Sequence, residues 1–140
     1  MNSISEIHVG ARFIIQKEIT ESETSLDYGN GRIEKLLASP KLLGLMIEAS
    51  VHLIDDMLPD DLISVGKRYR LNHLKPTTLG QTVTVEVEVI EYDHPWVLVR
   101  MKAYDEIGLV GTGSEERIIV NKDGLLINAS QRASIIDKSI

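Results

Sequence analysis

The sequence has no cysteine, and only one tryptophan and one phenylalanine among 140 residues. The missing thiol excludes a disulfide framework, a thiolate metal site and a cysteine nucleophile, and fits a reducing compartment. No stretch approaches the ~18 apolar residues that a membrane-spanning helix needs. The start, "MNSISEIHVG", lacks the basic and apolar regions of a secretory signal. Positive charge is in deficit: 15 Lys and Arg stand against 21 Asp and Glu, a net charge of −6. Such a chain suits neither a nucleic-acid phosphate backbone nor a membrane surface. No G-x-S-x-G elbow, phosphate loop, internal repeat or low-complexity segment occurs. The expectation is a cytoplasmic globular protein with one domain over residues 1–140, its core about 11–120 and a tail 121–140. A chain this long can bury roughly 68–70% of its unfolded surface without staples.

What is present is patterned. "ARFIIQKEIT" (11–20) reads as a first strand, and "RIEKLLA" (32–38), after a polar segment, as two helical turns. "SPKLLGLMIEASVHLIDDML" (39–58) is the strongest helix signal, with Ser39 as cap and Pro40 at the first helical position. Its apolar arc is wide, so the helix is expected to be mostly buried. After it the period changes to two. In "LISVGKRYRLNHL" (62–74), parity puts Ile63, Val65, Lys67, Tyr69, Leu71 and His73 on one face, and Ser64, Gly66, Arg68, Arg70 and Asn72 on the other. Val83, Val85, Val87 and Val89 alternate with Thr82, Thr84, Glu86 and Glu88; Val97, Val99, Met101 and Ala103 do the same on the next strand. A last strand is predicted over 109–120, then a turn at "NKDG". Short links between these strands call for antiparallel neighbours. The fold class is therefore α+β: one long buried helix wrapped by a curved antiparallel sheet. Its open edge invites pairing with a second copy.

Few residues have the chemistry for a site. His73 shares a face with Tyr69 and Leu71 at a strand end, as a proton-transfer group or as a core or turn histidine. Ser39 starts the helix, where a hydroxyl is a cap, a nucleophile or an orienting donor beside amides that can hold an oxyanion. Glu48 and His52 are four apart with Asp55 and Asp56 following, which is a metal pair or, more simply, a solvated stripe. No further ligand-spaced cluster accompanies them. "GKRYR" (66–70) is locally basic, and its arginines point outward by parity. Glycines 111 and 113 in "GTG" mark a bulge or a close backbone approach rather than a dinucleotide fingerprint.

Three of these stretches, in order, resemble the hotdog-fold thioesterases, and most closely the fluoroacetyl-CoA thioesterase-like family. They are "SPKLLGLMIEAS", "NHLKPTTLGQTVTVEVEV" and "AYDEIGLVGTGSEERIIV", and the resemblance as a whole runs from about Ala11 to Val120. The resemblance implies a hotdog fold, a homodimer (or a tetramer of two dimers), and hydrolysis of a small acyl-CoA at the dimer interface with no cofactor and no metal. It implies a catalytic set with the hydroxyl on Ser39, the histidine on His73 and the carboxylate on Glu48, and substrate-binding positions at Gly66 and Arg117. One position departs from the pattern. With Gly44-Leu45-Met46 aligned, the family's glutamate falls on Ile47, and Glu48 is one residue later, about 100° further round a helix. That departure motivates the alternative of a non-catalytic acyl-CoA or acyl-ligand binding protein.

Overall fold

Ser39–Asp55 form a single helix, α1, about 25 Å long. It lies across five antiparallel strands, which the computed structural model describes together with the rest of residues 6–28 and 31–137. Expectations for residues 1–5, 29–30 and 138–140 fall outside the described residues. The strands are β1 (Arg12–Glu18), β2 (Leu62–His73), β3 (Thr82–Asp93), β4 (Trp96–Tyr104) and β5 (Leu109–Asn121). They are ordered β1-β3-β4-β5-β2 across the sheet. β3, β4 and β5 form the expected meander. The 74–81 connection then returns the chain from β2, at one edge, to β3 near the other, turning at Gly80 with φ +96°, where a side chain would be strained.

The core is the contact between α1 and the valine face. Val83, Val85, Val87 and Val89 are buried, as are Val97, Val99, Met101 and Ala103. Leu42, Met46, Ala49 and Leu53 face them from the helix. Each such side chain, fully buried, contributes about 1.5–3 kcal/mol. Two glycines let the helix and strands come close. A methyl at position 111 would meet Leu42 Cδ2 at 3.0 Å, and one at 113 would meet the Arg70 carbonyl oxygen at 2.5 Å. Bulk at either would push α1 or β2 off the sheet.

The structure departs from the sequence reading in four places. A register shift between Gly66 and Arg68 leaves Lys67 unpaired, and this bulge inverts the alternation of β2. Tyr69, Leu71 and His73 face the helix as parity predicts. Before the bulge, however, Ser64 and Gly66 share that face, not Ile63 and Val65. Residues 32–38 form bends and two isolated bridges, Thr24–Leu37 and Leu36–Thr78, instead of helix. The residue capping α1 is Ala38, with Ser39 inside the first turn. The chain does not turn at "NKDG": Lys122–Asp137 continue as a second helix, α2. No helix among the described residues is long and apolar enough to cross a membrane.

Candidate functional site

α1 runs antiparallel to β2, so the helix start meets the strand end. There Ser39 Oγ and His73 Nδ1 are 2.6 Å apart. The hydroxyl is spent on the imidazole while a residue without a side-chain acceptor caps the helix. The other ring nitrogen, His73 Nε2, is buried without a hydrogen-bond partner, an arrangement that costs about 1–3 kcal/mol. Burial holds the His73 pKa below 6.5, against the opposing pull of the Lys75 main chain. The ring is therefore neutral at pH 7 and has a lone pair with which to take a proton.

This pair sits in a cleft of about 270 Å³. Ile33, Leu36 and Leu37 line one side, and Leu74, Lys75 and Pro76 the other. The bridges that replace the expected helix at 32–38 are what fold this wall over the start of α1. The first amides of an α-helix have no intrahelical acceptor, so those of α1 add positive potential to the cleft. A neutral imidazole, a hydroxyl and free amides in an apolar cleft can together stabilise an oxyanion and move a proton.

The remaining sequence-derived site residues lie elsewhere in the chain. Gly66 and Arg117 pair with each other, six residues along β5 from the His73–Gly111 pair, or about 20 Å away. Arg117 is buried, and all three of its nitrogens are engaged. Nε donates to Ser64 Oγ, Nη2 to the Ser64 carbonyl and Nη1 to Glu115 Oε2, each at 2.8 Å. Ser64 in turn donates its hydroxyl to Asp55 Oδ1 at 2.6 Å, and its amide to the same oxygen. These bonds hold a carboxylate at the C-terminal end of α1, where the helix dipole disfavours it. Glu115 is fully buried. Desolvation pushes its carboxyl pKa up, opposed by Arg117 and the Ser50 hydroxyl. Sequence reading missed Ser64 and Glu115, and had Asp55 only in a metal pair or solvated stripe with Glu48 and His52, not bonded to Ser64. The alternation 111, 113, 115, 117, 119, with its close-packing glycines and its isoleucine, was the available signal.

Glu48 is exposed and has no hydrogen-bond or ion-pair partner among the described residues. Ile47 beside it is half-buried. His52 stacks on Phe13, with centroids 5.5 Å apart, and faces Asp56 at 3.5 Å. No three His, Asp or Glu among the described residues gather closely enough to hold a metal ion.

Comparison with known proteins bears on the fold. A hot-dog-like protein from Thermanaerovibrio acidaminovorans superposes with a TM-score of 0.83 at 31% identity, over 89% of this chain and 91% of that one. A variant of the fluoroacetyl-CoA-specific thioesterase FlK in complex with fluoroacetate and CoA gives 0.78 at 24%, over 85% and 99%. A hypothetical thioesterase protein with coenzyme A from Streptococcus pneumoniae gives 0.67 at 13%, over 85% of each chain. No curated protein sequence matches. The fold is the hotdog fold, one helix packed in a curved antiparallel sheet. With residues 19–123 matching the family model of the fluoroacetyl-CoA-specific thioesterase FlK, the chain belongs to that thioesterase family.

Proposed function

We propose that the chain hydrolyses a small acyl-CoA thioester at the Ser39–His73 cleft. The single observation that carries the reading is the 2.6 Å contact between Ser39 and a neutral, half-buried His73 at the start of α1. The thioester carbonyl points its oxygen at the helix-start amides, which polarise it. A water attacks the carbonyl carbon as His73 takes its proton, with Ser39 fixing the orientation of the ring. The tetrahedral intermediate then breaks the carbon–sulfur bond, and the imidazolium returns the proton to the departing sulfur. One thioester and one water give one carboxylic acid and one thiol. Relatives that carry CoA support the choice of thiol.

The reading includes a homodimer. β2 is an edge strand, and its middle residues, Lys67–Arg70, are exposed. Antiparallel pairing of two such edges about a two-fold axis near Tyr69 and Arg70 would set His73 of one copy opposite Gly66 of the other. That pairing brings together positions about 20 Å apart within a single chain. Purified protein assayed against a panel of acyl-CoA esters tests the whole. Turnover that disappears in His73→Ala is expected; no turnover across the panel would refute hydrolysis.

A second reading has its own observation: Ile47 is apolar and half-buried where the family pattern has an acid, and Glu48 faces solvent. On this reading the chain binds acyl-CoA without turning it over. Calorimetric binding in the absence of hydrolysis would establish it.

A further inference from the structure

Tyr69 stands on the helix side of β2, because its ladder partner on β5 is the buried Glu115. From there its ring reaches back across the bulge at Lys67 and lies on Gly66. A methyl group added at 66 would stand 2.5 Å from the ring's Cζ and 3.0 Å from Cε1. The phenol thus fills the space that a side chain at 66 would take. No hydrogen bond among the described residues ties its hydroxyl down. At 43% exposure, it is held by packing alone.

The helix beside it is apolar. Ser39, Leu43, Ile47, Val51 and Asp55 follow one another along α1 at intervals of four, a stripe that winds slowly round the helix. Ser39 bonds to His73 and Asp55 to Ser64, so the stripe follows β2 from end to end. Between its two polar ends the helix offers Leu43, Ile47 and Val51, all half-buried. The strand offers Leu71, also half-buried, and then Tyr69. The seam that begins at His73 therefore has no polar group with which to hold anything but hydrocarbon.

Antiparallel pairing of two β2 edges gives the phenol its neighbour. With the two-fold axis at Arg70, Leu71 of one copy lies opposite Tyr69 of the other. The extra residue of the bulge then brings Gly66 opposite His73. In that register Leu71, Tyr69, His73 and Gly66 all meet on the helix side. Opposed side chains begin about 5 Å apart, so the phenol lying on Gly66 of one copy stands beside the imidazole of the other. We infer that Tyr69 sets the size of the acyl group. Across the paired edges its phenol closes the apolar seam at His73, so the site takes an acetyl-sized aliphatic group and refuses longer ones. Tyr69 is a specificity residue and takes no part in the proton transfers. The inference rests on the proposed thioesterase reading with its paired edges, and names the acyl class of that substrate.

The test measures kcat/KM of wild type, Tyr69→Phe, Tyr69→Leu and Tyr69→Ala on acetyl-, butyryl- and octanoyl-CoA. Wild type is expected to fall along that series; a wild type that prefers octanoyl-CoA overturns the inference. Tyr69→Ala should raise the octanoyl-to-acetyl ratio at least about tenfold, the low end of what an apolar pocket gains or loses per methylene. The gain should lie mainly in KM. A smaller change, or both esters rising or falling together, overturns the inference. Tyr69→Phe keeps the ring and should keep the wild-type ratio. A Tyr69→Phe protein that behaves like Tyr69→Ala would give the role to the hydroxyl and also overturns the inference. Where Tyr69→Ala does not fold, Tyr69→Leu, which is shorter but still apolar, carries the same expectation. Sedimentation as a monomer under assay conditions removes the paired edges, and the inference with them. If wild type hydrolyses none of the three, catalysis fails separately, and the ratio is read from calorimetric Kd values for acetyl-CoA and octanoyl-CoA. The same tenfold shift in Tyr69→Ala is then required, and wild type binding neither ester overturns the inference.

Discussion

The Tyr69 hydroxyl lies against the α-carbon of Gly66, across the bulge at Lys67, so that any side chain at 66 would begin inside the phenol. The bulge turns both residues to the helix side of β2. Tyr69 is 43% exposed and can swing outward. Gly66→Ala should therefore cost only about 1 kcal/mol, and almost nothing in a Tyr69→Ala background. Chemical denaturation of the four proteins of this cycle measures the coupling. A full cost that persists without the phenol would place the constraint in the backbone.

The same bulge marks where reading the sequence stops. Alternation gives the buried faces of β3 and β4 correctly because neither is interrupted along its valine run. In β2 one unpaired residue inverts the pattern, and Gly66 alone hints at it. The convergence of Ser39 and His73 follows from two separately legible facts, a helix beginning at 39 and a strand ending at 73. The wall around them does not, because bends at 32–38 owe their shape to Thr78 and Thr24 across the chain. Nor is α2 legible: "KDGLLINASQRASIID" has little apolar periodicity, and Leu126, Ile127, Ile135 and Ile136 remain exposed on it. Glu115 and Arg117 look like surface charges until their parity with Gly111 and Gly113 is counted.

His73→Ala should lower kcat about 10²–10⁴-fold on the best acyl-CoA, the range for losing a positioned proton-transfer group. Ser39→Ala should lose less, because its hydroxyl positions the ring. Its melting temperature should stay within a few degrees of wild type, since Ser39 does not cap α1. Steady-state kinetics with thermal melts separates the effects. A Ser39→Ala protein that melts far below wild type with unchanged kcat would assign the residue to the fold alone.

The depressed pKa of His73 gives activity and stability a shared pH window. Hydrolysis should rise as pH increases through the His73 pKa, with its midpoint below 6.5. Well above 6.5 the ring is neutral in both folded and unfolded chains and contributes no slope. As pH falls below 6.5 the unfolded chain takes up the proton first, so the native state loses stability toward the lower folded pKa. His73→Phe should flatten that part of the denaturation-versus-pH curve. An activity midpoint above 7 would contradict a base held neutral by burial.

Ile47→Glu tests the departure from the family pattern. The carboxylate would stand on a half-buried position one helical step from the exposed Glu48. If the chain lacks only its acid, this variant should raise kcat on small acyl-CoA esters at least tenfold, with Glu48→Gln leaving the wild-type rate within about twofold. A strong loss in Glu48→Gln would show instead that an oligomer turns that side chain into the site. Rates of the two variants, each normalised to folded protein by circular dichroism, decide between them.

Glu115 and Arg117 are joined at 2.8 Å in the core, with Glu115 Oε1 left unpartnered. Removing one partner leaves the other charged and dry. Glu115→Ala should destabilise by about 3–5 kcal/mol, and Arg117→Met by a similar amount. Replacing both with Met removes the two desolvation costs together and should recover much of the loss. The recovery should be incomplete, because Ser64 and Asp55 would lose the guanidinium that joins them to β5. Urea denaturation of the two single variants and the double variant gives the coupling. Additive losses in the double variant would mean that the pair is not one unit. A large loss of acyl-CoA turnover in a stable double variant would instead bring Arg117 into contact with substrate.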